Sequence, residues 1–176
     1  ISHTPKKHQE ISYDPSNIRF TLTCQSGLES LVRRESEKND LLIESSRSAH
    51  IWIMKTYHAY ELLVRSRFAN RVYINIHTEK ITSFDTLHDA LADISWSEYL
   101  TGKELIVIEA SSTRSALSSI PTIQSVSQKA IFSTLHTPNN ANAIEVHILI
   151  LIVDDIAHIL LDITGDPLHK RGYRQE

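Results

Sequence analysis

The sequence predicts an α+β chain built from two successive small units. Three observations carry that prediction. Between Ile18 and His77 the apolar residues alternate between a period of two and a period of three to four, in the order strand, helix, two strands, helix, strand. From Phe84 the switching starts again with a different order of elements. The 176 residues, 41% hydrophobic and 22% charged, suffice for two small cores and exclude a disordered or coiled-coil chain.

Residues 1–17 combine Pro5, Pro15, Lys6 and Lys7 without periodicity and are expected to form a flexible arm. Ile18, Phe20 and Leu22 alternate with polar residues as a strand with one buried face. Thr23 to Gly27 reads as a turn, with Ser26 placed to cap the next helix because Glu29 follows three residues later. Leu28, Leu31 and Val32 have helical spacing, with Arg33, Arg34, Glu35 and Glu37 on the wet side. Leu41–Ser46 and His50–Lys55 read as a strand pair. Tyr57–Asn70 reads as a second helix and Arg71–His77 as a fourth strand. This βαββαβ order, two strand–helix–strand pieces sharing one sheet, assigns a first unit to residues 18–81.

Phe84, Leu87, Leu91 and Ile94 predict an amphipathic helix that ends near Trp96–Leu100, before a break at Gly102. Leu105–Ala110 is an apolar strand, and Ser111–Pro121 a polar loop. Ile123, Val126, Ala130, Ile131 and Leu135 predict a helix starting near Thr122, followed by a loop over Pro138–Asn142. Ile144–Val153 and His158–Ile163 read as a hairpin turning at Asp154-Asp155, its long apolar first arm suited to a central strand. The second unit is thus expected over 82–165, with a junction over 166–176.

Charge narrows the function. Residues 1–82 carry 12 Lys/Arg against 9 Asp/Glu, and residues 83–176 carry 6 against 12. A polyanion would therefore meet local basic patches, not a uniformly positive face. The run Ile144–Val153 is interrupted by Glu145 and His147 and is too short to span a bilayer, so no membrane partner is expected. No secretory leader is evident, and the lone Cys24 has no partner for an internal disulfide, which fits a cytoplasmic protein. Cys24 is expected to be a buried structural thiol. The chain opens on Ile1 and is expected to be a fragment or processed form.

Several segments, in order, resemble a known family. Phe20-Thr21-Leu22-Thr23-Cys24 with Gly27-Leu28-Glu29-Ser30-Leu31 and Arg34-Glu35 is similar to the opening of bacterial THUMP-containing RNA (guanine-N2) methyltransferases. Leu62-Leu63-Val64-Arg65-Ser66-Arg67 with Asn70-Arg71-Val72 resembles the second helix of the same ferredoxin-like domain and its exit. Ile94-Ser95-Trp96-Ser97-Glu98-Tyr99-Leu100 resembles the piece that opens the THUMP domain. Leu168-His169-Lys170-Arg171-Gly172-Tyr173-Arg174 is similar to the junction leading into the methyltransferase domain. The resemblance, nearest to the L type acting on 23S ribosomal RNA, implies a ferredoxin-like unit over 18–81 and a THUMP domain over 82–165. It also implies RNA as partner, ribosomal or transfer, and S-adenosylmethionine as the cofactor of a catalytic domain beyond this segment.

The residues present lack that chemistry. The four glycines, Gly27, Gly102, Gly165 and Gly172, are isolated, whereas a methyl-donor site needs a glycine-rich strand-to-helix turn. No Asn is followed by the proline–aromatic clamp that would hold a flipped guanine. This segment alone is expected to have no catalytic residue and no cofactor.

RNA contact is assigned to two places. The serine-rich loop holding Arg114 and Ser118 runs into a helix N-terminus, whose amides and positive dipole end favour phosphate. Gln124, Gln128 and Lys129 continue along that helix's polar side. At the junction, Lys170, Arg171 and Arg174 interleave with Tyr173, a mix of cations and stacking ring suited to single-stranded RNA. Ten histidines provide no helical i, i+4 pair, and His147 and His158, which the hairpin could bring face to face, lack a third ligand. No metal site is assigned. A protein-interaction or assembly role, or docking of RNA for sulfur transfer or deamination, remains open beside RNA methylation.

Overall fold

The computed structural model describes residues 19–38, 42–47, 50–54, 69–135 and 143–162, with 42–47, 50–54 and 69–70 described by backbone alone. The elements are β1 (Arg19–Cys24), α1 (Glu29–Lys38), β2 (Leu42–Arg47), β3 (His50–Met54) and β4 (Ala69–Lys80), then α2 (Phe84–Ala92) and a 3-10 turn (Trp96–Glu98). After these come β5 (Leu105–Thr113), α3 (Ile120–Thr134), β6 (Glu145–Val153) and β7 (Ile156–Asp162). The fold is α+β: the strands form one seven-stranded sheet in the order β2-β3-β1-β4-β7-β6-β5. Every neighbouring pair is antiparallel except β5 and β6, whose parallel pairing requires the crossover that α3 supplies.

The sheet continues across the change of pattern near residue 82. β4 is twelve residues long. Its first half pairs with β1, Phe20 opposite Ile74 and Leu22 opposite Val72. Its second half pairs with β7, Thr78 opposite His158 and Lys80 opposite Ile156. Alternation then sorts the side chains. Phe20, Leu22, Val72, Ile74, Ile159, Leu161, Val146, Ile148, Ile150 and Ile152 lie on one face and join a single cluster with Val32, Leu87, Leu91, Trp96, Ile123 and Ile131. Each such side chain is worth about 1.5–3 kcal/mol when withdrawn from water, so this face holds the helices in place. On the other face Tyr73, Leu151 and Leu160 form a small second cluster.

Local chemistry explains the element ends. Ser83 caps α2, its hydroxyl accepting from the Thr86 amide at 3.2 Å. The Trp96 indole donates to the Leu91 carbonyl at 2.8 Å, tying the 3-10 turn back to α2. Asp154 (φ 52) and Asp155 (φ 62) both take the left-handed conformation required by a two-residue hairpin turn of the primed type.

Several sequence expectations shift. Ser26 is not the cap of α1, which begins only at Glu29; instead the Glu29 carboxylate accepts from the Gly27 amide at 2.8 Å, and Gly27 turns with φ 94. Ala69 and Asn70, assigned by periodicity to a helix end, open β4, while the rest of that predicted helix over 57–68 lies outside the described residues. Ser111–Thr113, expected as loop, continue β5, because the parallel register with β6 runs on to Thr113 opposite Val153 and satisfies their backbone. α3 starts at Ile120, with Pro121 in its first turn, where a missing N–H costs nothing. The 1–17 arm, the Pro138–Asn142 loop and the 166–176 junction lie outside the described residues.

Candidate nucleic-acid interface

The bend between β5 and α3 is built from Arg114 to Ser119. It is held against the β6–β7 turn by the parallel β5–β6 pairing, which brings Thr113 level with Val153. The Asp154 amide donates to the Thr113 carbonyl at 3.1 Å, and the Ala116 amide donates to the Asp155 carboxylate at 2.8 Å. Inside the bend, the Ser112 hydroxyl donates to the Leu117 carbonyl at 2.5 Å, and the Leu117 amide to the Ser115 hydroxyl at 3.1 Å. Leu117, 1% exposed, plugs the bend into the core. The loop is therefore a braced corner.

Arg114 adopts φ 50, an uncommon conformation for a residue with a side chain. Its guanidinium is engaged: Nε donates to Asp154 Oδ1 at 2.6 Å and Nη2 to Oδ2 at 3.3 Å. This partnership, by hydrogen bond and by charge, raises the already high pKa of Arg114. The two side chains are 57% and 39% exposed, so the pair sits in water.

The other predicted contacts divide. Ser118 is exposed, and Ser119 places its hydroxyl 2.7 Å from that of Thr122 at the start of α3. Gln128 and Lys129 are exposed, and Lys129 shares the solvent-facing stripe of α3 with Thr122 and Ser125 at i, i+3 and i+7 spacing. Gln124 does not belong with them. It is half-buried and its side-chain amide donates to the Ile108 carbonyl at 3.2 Å, which ties α3 to β5. Polar type and helical spacing cannot distinguish a ligand contact from such a tie. Lys170, Arg171, Tyr173 and Arg174 lie outside the described residues.

His147 and His158 do not face each other across the hairpin. The register sets His158 opposite Leu151, where its Nδ1 lies 3.2 Å from the Thr78 hydroxyl. His147 sits between Glu109 at 3.0 Å and Glu145 at 3.4 Å. Cys24 is buried, and burial first, then the Glu29 charge, push its thiol pKa up, the opposite of an activated nucleophile. Sequence reading missed Asp154 as the partner of Arg114. Consecutive aspartates between two apolar strands signalled the turn, but only the parallel register placed that turn beside residue 114.

No family model matches the chain. Among curated proteins it is 32% identical over 123 residues to the ribosomal RNA large subunit methyltransferase K/L of Buchnera aphidicola, covering 66% of this chain and 18% of that protein. Among solved structures it superposes on a possible methylase from Clostridium difficile 630 with a TM-score of 0.74 and 28% identity, over 91% of this chain and 45% of that one. SMU.472, solved in complex with SAH, matches with a TM-score of 0.69 and 26% identity, over 92% of this chain and 45% of that one. The chain is thus similar to one region of methyltransferase proteins. It spans about a fifth of the length of the first curated relative and less than half of those solved chains. Among the described residues no helix is long and apolar enough to cross a membrane.

Proposed function

We propose that this chain is the RNA-docking part of an RNA methyltransferase, a ferredoxin-like unit followed by a THUMP domain. It presents structured RNA, foremost 23S ribosomal RNA, to a methyltransferase domain that S-adenosylmethionine serves. The observation that carries the reading is the 32% identity over 123 residues to a ribosomal RNA methyltransferase of which the chain matches only 18%. The first four strands support the ferredoxin-like half: their order β2-β3-β1-β4 inserts β1 between β3 and β4, as in a split strand–helix–strand unit. Over the second half, β5, α3 and the braced corner at Arg114 form a rigid edge with exposed Ser118, Gln128 and Lys129. Phosphate contacts there would fix the register of the RNA while carrying no chemistry. Lys170, Arg171, Tyr173 and Arg174 would extend the contact toward the catalytic domain.

The test is binding of a 23S ribosomal RNA transcript, with transfer RNA as competitor, across a salt series. Affinity should fall as salt rises, because phosphate contacts release counterions. Arg114→Glu combined with Lys129→Glu should weaken binding at least about tenfold at low salt and flatten the slope, with the fold intact by circular dichroism. Salt-independent binding, or none by the full-length parent protein, would instead favour an assembly role, which the acidic second half of the chain also suits. Preference for transfer RNA would move the substrate class.

A further inference from the structure

The contact between Arg114 and Asp154 has the form of a latch. A guanidinium binds a phosphate through two N–H groups aimed at two oxygens, and a carboxylate offers the same pair of acceptors. Here the fork is closed on Asp154 through both Nε and Nη2. The turn does not require that carboxylate. At φ 52 a left-handed conformation is needed, and Asn or Gly meets it as well as Asp. The position of residue 154 is set by the backbone, through its amide bond to Thr113 and the pairing of Thr113 with Val153. The register thus aims the charge at 154 at Arg114. Both side chains remain in water, so exchanging one anion for another requires no burial of charge.

We infer that Asp154 acts as a built-in competitor of RNA phosphate, holding Arg114 closed until a phosphate displaces it. This rests on the docking reading above. The consequence is selectivity. A polyanion that offers only charge must pull Arg114 from Asp154 and also approach the Asp154 carboxylate, whereas an RNA held by other contacts supplies its phosphate at high local concentration. Asp154 thus lowers affinity for all RNA but lowers it most for RNA that fits poorly.

The experiment compares wild type, Asp154→Asn, Arg114→Ala and the double variant, as full chains, on a 23S ribosomal RNA transcript and an unrelated hairpin RNA. Asp154→Gly serves as a second turn-compatible variant should Asp154→Asn perturb the fold. Asp154→Asn should tighten binding about three- to tenfold, more for the unrelated hairpin. It should leave the dependence of log affinity on log salt close to that of wild type, because the same Arg114–phosphate contact forms once the latch opens, whereas Arg114→Ala should lower that slope by about 0.9. In the Arg114→Ala background the gain should shrink toward nothing. Unchanged or weaker binding by Asp154→Asn, while Arg114→Ala binds worse than wild type, overturns the latch and leaves the docking site standing. An equal gain in the Arg114→Ala background also overturns it, because Asp154 would then act by repulsion alone. Arg114→Ala binding as wild type does overturns the docking corner itself and the latch with it.

Discussion

The Arg71 guanidinium reaches Asp162 at 2.5 Å, joining the near end of β4 to the last residue of β7 across 91 positions of sequence. The two ends of the pair differ. The Asp162 side chain is 5% exposed and the Arg71 side chain 49%. Removing Arg71 therefore strips a buried carboxylate of its cation, whereas removing the Asp162 charge returns a half-exposed guanidinium to water. Arg71→Leu should cost about 3 kcal/mol and Asp162→Asn about 1–2 kcal/mol, read from urea unfolding at neutral pH. Equal losses, or the reverse order, would show that the pair is not what holds this seam.

Tyr73 lies on the same face, 3% exposed. Burial, and then the neighbouring Asp162 charge, push its phenol up to about 12. In the unfolded chain a tyrosine titrates near 10, so between about 10 and 12 the unfolded state releases this proton while the folded state keeps it. Tyr73 then contributes its full stability below pH 10 and loses it as pH rises through that window. Wild type should lose stability faster than Tyr73→Phe above pH 10, and the difference in phenolate absorbance between them should titrate near 12. A difference spectrum centred at 10 would refute the assignment.

Ser127 sits in the buried side of α3, 0% exposed, and its hydroxyl has no hydrogen-bond partner among the described residues. An unsatisfied buried hydroxyl destabilises, and alanine is also the better helix former. Ser127→Ala should stabilise the chain by about 0.5–1.5 kcal/mol, seen as a Tm rise of about 2–5 °C. A lower Tm would mean that the hydroxyl has a partner in solution.

The sequence was informative where the determinants are local. The alternation Ile18-Phe20-Leu22, the apolar run ending at Asp154-Asp155 and the helical spacing of Phe84, Leu87 and Leu91 each gave their element, because a period or a turn residue carries its own signal. Ser111–Thr113 were misread because their strand character comes from β6, some forty residues later, and nothing in three small polar residues announces it. The site shows the same divide. Arg114, Gln124 and Lys129 are candidates by residue type alone, and the carboxylate that occupies Arg114 and the carbonyl that takes Gln124 are set by pairing and packing.

The length of β4 decides how this protein can be handled. A piece begun at residue 82 would keep β5, β6 and β7 but leave β7 with a bare rim, seven residues of amides and carbonyls deprived of their neighbour. Such a rim adheres to any extended strand it meets, another copy first of all. The two halves that differ so clearly in composition are therefore, for expression, for trimming and for transplanting onto another protein, a single plank.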